Sequence, residues 1–261
     1  MSARPVCLVT GAARRLGRAI ALELAAHGYD IAVHYRGSHT EANETVEALH
    51  AQGATALAFQ ADLSDETACR ALLGKVVGPF GRVDAVVNNA STFEADTAQN
   101  FGHAAMERHW RANTAPAILL AQALHQHLLA RGASGCVVNL LDQKLWNPNP
   151  DHFSYTLSKA ALQAATVMLA QALAPLLRVC AVAPGVTLPS GPMSDEQFAL
   201  ARTMTPLKRS STPLDVARAV RFLIESPAVT GTTLLVDGGQ HLQPQARDVF
   251  YLVQGEAVSG P

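Results

Sequence analysis

A chain of 261 residues, of which 49% are apolar and 16% charged, is ordinary for a globular protein with a sizeable core. The formal net charge of −1 excludes a broad basic field of the kind that binds nucleic acid or an anionic membrane. The four cysteines are widely spaced, without a CxxC pair, which favours buried thiols in a reducing compartment. No long apolar segment precedes the first strand, so we expect a cytoplasmic protein without signal peptide or membrane anchor.

Seven short, β-rich apolar runs alternate with segments of helical periodicity. The runs are Val6–Thr10, Ile31–Tyr35, Ala54–Gln60, Ala85–Asn88, Gly135–Leu140, Val179–Ala183 and Thr233–Val236. Near-continuous apolar character is typical of parallel strands that are buried on both faces. The alternation therefore predicts a single doubly wound α/β domain with a seven-stranded parallel sheet and helices on both faces.

Three of the intervening segments are predicted as helices over Leu16–His27, Ala104–Leu129 and Ser154–Ala174. Another helix should begin at Thr212, which is followed by Pro213 and, at the third helical position, by an acid. The alternation ends near Leu242. We therefore predict a domain over 1–242, containing a polar, irregular and mobile substrate loop over 187–206, and a tail over 243–261.

The first strand runs into a glycine turn, Gly11 to Gly17, directly before a helix. Small residues let the backbone approach a pyrophosphate, and the free N–H groups of the helix N-terminus favour an anion there. A structural tight turn would also explain this spacing. Its position after strand one favours a dinucleotide site that includes Arg14, Arg15 and Leu16.

The second strand ends in Tyr35-Arg36-Gly37-Ser38, without the carboxylate that usually grips the ribose of NAD. Arg36 and Ser38 suit a 2′-phosphate instead, and Arg14 could add a second positive charge. A solvated loop arginine is the alternative. The pattern favours NADPH over NADH.

Tyr155 and Lys159 stand four residues apart, which places them on one face of a helix after strand five. An ammonium about 4 Å from a phenol interacts by ~4 kcal/mol at an effective dielectric of 20. We therefore expect Lys159 to lower the pKa of Tyr155 toward neutrality, so that the phenol can donate a proton. As an isolated pair the two residues would be a helix surface feature.

Taken together, these motifs resemble the short-chain dehydrogenase/reductase family, with its Rossmann-type fold, over nearly the whole chain to about Leu242. The resemblance adds cofactor contacts from the ends of further strands, at Asp62, Leu63, Asn89, Ala90, Ser91, Pro184, Gly185 and Thr187. It implies that Lys159 also holds the nicotinamide ribose. It implies that Asn113 anchors a proton-relay water through a disturbed helix, and Pro116 gives an independent reason for that distortion.

Three departures from the family pattern narrow the substrate. Arg15 replaces the middle glycine of the turn, Ser91 replaces the glycine of an NNAG motif, and Asp142 replaces the catalytic serine. TGAARRLG, HYRGS and NNASTF resemble the motifs of the family's pteridine reductases and of its bacterial dihydromonapterin and dihydrofolate reductases. The resemblance implies hydride attack on a ring carbon, with Tyr155 and Asp142 managing protons.

The departures suit a pterin chemically. Phe93 can stack on a flat heterocycle, Ser91 can hydrogen-bond it, and Arg15 places a cation beside it and the cofactor phosphates. A C=N bond needs a proton on nitrogen, which a carboxyl at 142 can help to deliver. Ordinary loop packing of Phe93, and a cap or a salt bridge to Lys144 for Asp142, are the alternatives.

Two other functions remain open. A carbonyl reductase, for example of 3-oxoacyl thioesters, would prefer a serine at 142, and a non-catalytic NADPH-binding regulator would need no proton donor. No metal ligand set is predicted. The resemblance implies a homotetramer with the two long helices at one interface, and a C-terminus in which Arg247 reaches a neighbouring subunit's site, unless Phe250-Tyr251-Leu252 pack on their own subunit.

Overall fold

The computed structural model describes residues 4–190 and 193–255. Parts of the predicted domain, substrate loop and tail (1–3, 191–192 and 256–261) lie outside the described residues. The strands are β1 Val6–Val9, β2 Asp30–Tyr35, β3 Ala56–Gln60, β4 Ala85–Asn88, β5 Gly135–Leu140, β6 Leu177–Pro184 and β7 Thr233–Val236. They form one parallel sheet in the order β3-β2-β1-β4-β5-β6-β7. The predicted doubly wound, seven-stranded architecture is confirmed.

Helices cover both faces of the sheet. They are α1 Arg15–Ala26, α2 His39–Ala51, α3 Glu66–Phe80, α4 His103–His109, α5 Ala115–Arg131, α6 Phe153–Ala172, α7 Asp195–Thr203, α8 Pro213–Glu225 and α9 Val249–Leu252. One core lies between the sheet and α1, α2 and α8, and the other between the sheet and α3, α5 and α6. Neighbouring side chains of β1 divide between the two cores, since Cys7 and Val9 face one while Val6 and Leu8 face the other. This explains why the strands are near-continuously apolar.

The strand order positions the site. Strand β1 lies between β2 and β4, and the chain leaves β1 and β4 toward opposite faces of the sheet, through α1 on one face and α5 on the other. The carboxyl ends of β1 and β4 therefore open a crevice at a topological switch point, where ligands of open α/β sheets bind. Among the residues that the structure describes, no helix combines the length and the apolar character needed to span a bilayer.

The long helix predicted over Ala104–Leu129 is not continuous. Helices α4 and α5 are joined by a π-helical turn over Trp110–Thr114, which contains Asn113 and ends two residues before Pro116. Proline has no amide hydrogen to donate and crowds the preceding turn, which favours a wider backbone there. The distortion expected near Asn113 is confirmed.

The substrate loop contains more regular structure than expected. Helix α7 begins with a capping box, in which Ser194 and Gln197 satisfy each other's backbone amides. Its apolar side, with Ala201 buried, packs against Met193 and Val249. The expectation of an irregular segment over 187–206 is therefore wrong for Asp195–Thr203. Mobility of this loop stays a prediction.

Subunit association also stays a prediction. Helix α6 exposes the apolar side chains Leu157, Val167 and Met168, which is surface of the kind that subunit contacts cover.

Helix α8 begins as predicted, with Thr212 and Asp215 forming a reciprocal capping box.

Candidate active site

A cavity of about 600 Å³ opens at the switch point. Its lining includes every cofactor residue predicted from the first four strands: Gly11, Arg14, Arg15, Leu16, Gly17, Tyr35, Arg36, Ser38, Asp62, Leu63, Asn89, Ala90 and Ser91. The structure thus brings together motifs that are separated by up to 80 residues in sequence. We refer to this cavity, at the carboxyl ends of the first four strands, as the first cavity.

The glycine turn is held by close backbone packing. Gly11 has a φ of +64°, and a Cβ at Gly17 would lie 2.2 Å from the carbonyl oxygen of Gly11. The Asn89 amide donates to the carbonyl of Thr10 at 2.9 Å and ties β4 to this turn. Arg15, where the family pattern has glycine, also has a positive φ of +54°. A left-handed backbone at a non-glycine residue costs on the order of 1 kcal/mol, and here it directs the guanidinium to the carbonyl of Pro189 at 2.8 Å.

His34 was missed by the sequence reasoning. The backbone N–H of Gly11 donates to His34 Nδ1 at 3.1 Å, and His34 Nε2 lies 3.1 Å from the carbonyl of Ala61. Burial lowers the pKa of His34 to about 4, so the ring is neutral near pH 7. With Nδ1 accepting, Nε2 carries the hydrogen. A polar residue inside an apolar strand was the available signal.

A second cavity, of about 570 Å³, adjoins the first and shares Arg14, Arg15, Leu16, Asn89 and Ser91 with it. Its lining includes the remaining predicted cofactor, catalytic and substrate residues, apart from Asn113: Phe93, Asp142, Tyr155, Lys159, Pro184, Gly185 and Thr187. Both volumes are in the range of ligand pockets.

Tyr155 and Asp142 form a direct pair in the second cavity. The Tyr155 hydroxyl donates to Asp142 Oδ2 at 2.9 Å, and the backbone N–H of Lys144 donates to Asp142 Oδ1 at 2.9 Å. Burial raises the pKa of Asp142. Burial, and then the adjacent Asp142 carboxylate, raise the pKa of Tyr155 well above 10. The expectation that this pKa is drawn toward neutrality is therefore wrong for this arrangement, because the nearest charged group is a carboxylate.

Lys159 lies beneath the tyrosine ring. Its Nζ is 5.8 Å from the ring centroid and donates to the carbonyl of Leu140 at 2.7 Å. Burial lowers the pKa of Lys159 to about 8. Helical spacing correctly predicted that Tyr155 and Lys159 share one face of α6. It could not show that the Lys159 ammonium would donate to the Leu140 carbonyl at the end of β5.

Phe93 is 46% exposed in the second cavity. Its ring is stacked on His152, with centroids 4.0 Å apart, and meets the Tyr155 ring edge-to-face at 4.7 Å. His152 covers one face of Phe93, so the exposed part of the ring is available to a ligand.

Asn113 fixes the segment beside Phe93. Its Oδ1 accepts from the Ser91 hydroxyl and the Thr92 N–H, and its Nδ2 donates to the Thr92 carbonyl and the Ser158 hydroxyl. These four bonds use the full capacity of an amide. Anchoring of a relay water stays a prediction for Asn113, and its backbone would have to supply the contact.

The tail supplies residues that sequence reasoning did not assign to the pocket. Asp248, Val249 and Phe250 line the second cavity of their own chain. Arg247 Nε donates to both carboxylate oxygens of Asp151 at 3.0 and 2.9 Å within the same chain, and the Tyr251 ring stacks on His152, as expected if Phe250-Tyr251-Leu252 pack on their own subunit. Reach of Arg247 to a neighbouring subunit's site stays a prediction. No local motif signals the Arg247–Asp151 contact, which joins positions 96 residues apart.

Gln143 is a further pocket residue without a sequence signal. It lines the second cavity and is buried, and its Oε1 has no hydrogen-bond partner among the described residues. A buried acceptor of this kind is stabilised when a donor reaches it.

Comparisons with known proteins agree with this geometry. A family model described as enoyl-(acyl carrier protein) reductase matches residues 11–241. A putative ketoacyl reductase of the granaticin polyketide synthase from Streptomyces violaceoruber is 36% identical over 246 residues, covering 91% of this chain and 96% of that protein. The 3-oxoacyl-[acyl-carrier-protein] reductase FabG of Staphylococcus aureus is 35% identical over 244 residues, covering 90% and 97%.

Among solved structures, the alternative dihydrofolate reductase 1 (FolM) from Brucella suis, in complex with NADP, is 39% identical. The match covers 95% of this chain and 99% of that one, with a TM-score of 0.89. Sequence and structure therefore lead to reductases of two different substrate classes.

Proposed function

The chain belongs to the short-chain dehydrogenase/reductase family of oxidoreductases, and we propose that it transfers a hydride from NADPH to the ring of a pterin or dihydropterin, or of dihydrofolate. The substrate class follows from the chemistry of the second cavity. The Tyr155–Asp142 hydrogen bond is the observation that carries the proposal.

The first cavity fits NADP. A side chain at Gly17 would collide with the Gly11 carbonyl, so the turn keeps its backbone open to a pyrophosphate. The end of β2 offers Arg36 and Ser38 in the cavity wall, where a 2′-phosphate would meet a guanidinium and a hydroxyl. FolM from Brucella suis, which is similar over 95% of the chain, was solved with NADP. When bound, NADPH supplies the hydride.

The Tyr155–Asp142 pair suits a nitrogen acceptor. When a hydride adds to the carbon of a C=N bond, the electron pair of that bond moves to nitrogen, which then needs one proton. Because burial raises the pKa of Asp142, its carboxyl holds a proton at higher pH than an exposed aspartate does. The nitrogen can receive the proton from the Asp142 carboxyl or from the Tyr155 hydroxyl, and the pair then regains a proton from solvent.

The rest of the cavity suits a flat heterocycle with polar edges. The exposed part of the Phe93 ring can stack on it, and the unpartnered Oε1 of Gln143 can accept from a ring amine or N–H. Ser91 uses its hydroxyl hydrogen on Asn113, so its lone pairs remain for a ligand donor. Arg15, which lines both cavities, is placed to meet the substrate and the cofactor phosphates.

A 3-oxoacyl thioester is the second candidate substrate, because curated relatives at 36% and 35% identity are named ketoacyl reductases. Reduction of a ketone develops negative charge on oxygen, which a neutral hydroxyl donor such as a serine is sufficient to stabilise, so that reaction does not need a buried carboxyl group. Asp142 beside Tyr155 therefore favours the pteridine over the thioester.

The test is NADPH oxidation by the purified protein with dihydromonapterin, dihydrofolate or an acetoacetyl thioester, in the wild type and in Asp142→Ser and Asp142→Asn. We expect wild-type turnover with the pteridines. Asp142→Asn, which keeps the shape but cannot carry the proton, should lose roughly 100-fold in kcat, a typical effect of removing an acid–base group. Wild-type turnover with the thioester alone, or unchanged pteridine turnover in Asp142→Asn, would overturn the proposal.

A further inference from the structure

The tail carries a carboxylate to a buried lysine beside the catalytic pair. Asp248 lies in the wall of the second cavity, and its Oδ2 is 3.3 Å from Lys144 Nζ. The Lys144 side chain is only 3% exposed. Its backbone N–H donates to Asp142, so a single residue connects the tail carboxylate with the proton-bearing pair.

The contacts around this ion pair fix its position. Asp151 accepts Arg247 Nε on both carboxylate oxygens and also the backbone N–H of Asp248 at 2.7 Å. Lys144 Nζ donates to the carbonyl of Asp151. Because four charged side chains and two backbone groups hold one another, Asp248 is not a freely moving surface carboxylate.

Apolar contacts hold the same segment from its other side. Val249 is buried against Met193 and Ala201 of the substrate loop. The Tyr251 ring stacks on His152 with centroids 5.9 Å apart, and His152 in turn backs Phe93. The tail segment that carries Asp248 therefore contacts three parts of the second cavity: the substrate loop, the stacked rings of His152 and Phe93, and Lys144.

We propose that Asp248 is a positioning residue of the reaction: the tail carries it to Lys144, where its negative charge offsets the buried ammonium and so keeps the Asp142–Tyr155 pair in its proton-donating form. The inference rests on the proposed function, in which that pair protonates a ring nitrogen. Asp248 itself acts through Lys144 and through its charge.

The charges around Asp142 decide the direction of the effect. The titratable groups that face Asp142 or the ion pair are Tyr155 and Lys159 from α6, Lys144 and Asp151 from the preceding turns, His152, and Arg247 and Asp248 from the tail. Apart from burial, the negative charge of Asp248 raises the pKa of Asp142 and Lys144 lowers it. The two members of the ion pair thus act on Asp142 with opposite signs.

Two variants of opposite charge separate this role from a purely structural one. Asp248→Asn leaves Lys144 unpaired and lowers the pKa of Asp142, whereas Lys144→Met leaves Asp248 unpaired and raises it. The acid must be protonated to act, so kcat/KM falls as pH rises through its pKa. The falling limb should move to lower pH in Asp248→Asn and to higher pH in Lys144→Met, by on the order of one pH unit each.

The experiment combines these pH profiles with a substrate-free titration. The ¹³C carboxyl resonance of Asp142, assigned by its loss in Asp142→Asn, is followed against pH in the NADP-bound protein. Glu47→Gln, at an exposed position of α2 outside both cavities, is the control for net charge and should shift neither readout. Lys144→Gln replaces Lys144→Met if thermal unfolding shows that the latter does not fold.

Opposite shifts of the Asp142 titration in the two variants support the inference. Shifts in the same direction, or no shift in either, overturn it. A loss of packing alone would not move the Asp142 titration in opposite directions in the two variants. Opposite NMR shifts in a protein that does not reduce pteridines would reject the proposed function while leaving the role of Asp248 intact. Pteridine turnover with unshifted titrations would support the proposed function and reject the role of Asp248.

Discussion

The two cavities are built in different ways. The first is lined by residues 11–112, mostly from strand ends, and its turn is held by backbone contacts and by the neutral His34. The second gathers residues from positions 14 to 250 and contains buried carboxyl and ammonium groups. Binding of a dinucleotide thus depends on the conformation of the backbone. Proton transfer depends on the pKa values of buried groups, which are set by partners that are remote in sequence. Variants of one cavity should therefore leave the other largely intact.

Tyr155→Phe should give the largest change. It removes the hydroxyl that bonds to Asp142 but keeps the ring that packs against Phe93. We expect kcat to fall by roughly 10²–10⁴, the usual effect of losing an acid–base group, with an unchanged dissociation constant for NADPH measured by nucleotide fluorescence. Weaker NADPH binding in this variant would show that the two cavities are not separable, and unchanged turnover would remove Tyr155 from the mechanism.

His34→Asn tests how the first cavity is held. In the native state burial lowers the pKa of His34 from 6.5 to about 4, so the unfolded chain binds its proton more readily. The free energy of unfolding should therefore fall as pH drops from 6.5 to about 4, by about 3 kcal/mol from this residue. The substituted asparagine side chain would keep an acceptor for the Gly11 N–H but would not titrate.

Denaturant unfolding at several pH values measures this contribution. The slope between pH 6.5 and 4 should be smaller in His34→Asn than in the wild type, whereas His103→Asn, at an exposed position, should leave it unchanged. Equal slopes in all three proteins would show that His34 titrates normally in the fold.

Arg36→Ala should act on the nucleotide alone. Loss of a charged contact to the 2′-phosphate, worth about 1.5–3 kcal/mol, should raise the KM for NADPH by roughly 10- to 100-fold and that for NADH very little. The KM for the pteridine should not move. Equal effects on both nucleotides would show that the 2′-phosphate lies elsewhere.

Phe93→Leu should give the smallest change. Aromatic stacking contributes about 0.5–1.5 kcal/mol beyond the area it buries, so the KM for a pteridine should rise by roughly 3- to 10-fold while NADPH binding stays constant. Phe101→Leu, another exposed aromatic residue outside both cavities, is the matched control. Equal effects of the two substitutions would remove the stacking role.

The fold and the first cavity were accessible from sequence because their signals are local. A strand followed by Gly11 to Gly17 and a helix is contained in one stretch of chain, and the absence of a carboxylate after Tyr35 is visible in the sequence itself. The sheet then brings such strand ends to one edge, whatever the intervening segments are.

The electrostatics of the second cavity were not accessible in this way. The expected pKa of Tyr155 had the wrong direction because spacing within α6 shows which residues share a face, but not that Asp142 would reach the phenol. The Lys144–Asp248 contact joins positions 104 residues apart and has no motif. The capping box of α7 was visible in the sequence as Ser194 and Gln197, but the surrounding prolines and polar residues obscured it.

The position of Asp248 late in the chain has a consequence for biosynthesis. Translation produces all seven strands, the last of which ends at Val236, before the ribosome reaches the segment that docks on Asp151 and Lys144. Domains begin to fold from their amino-terminal part during synthesis. A nascent chain can therefore complete its nucleotide crevice while the wall of its substrate pocket has not yet been made.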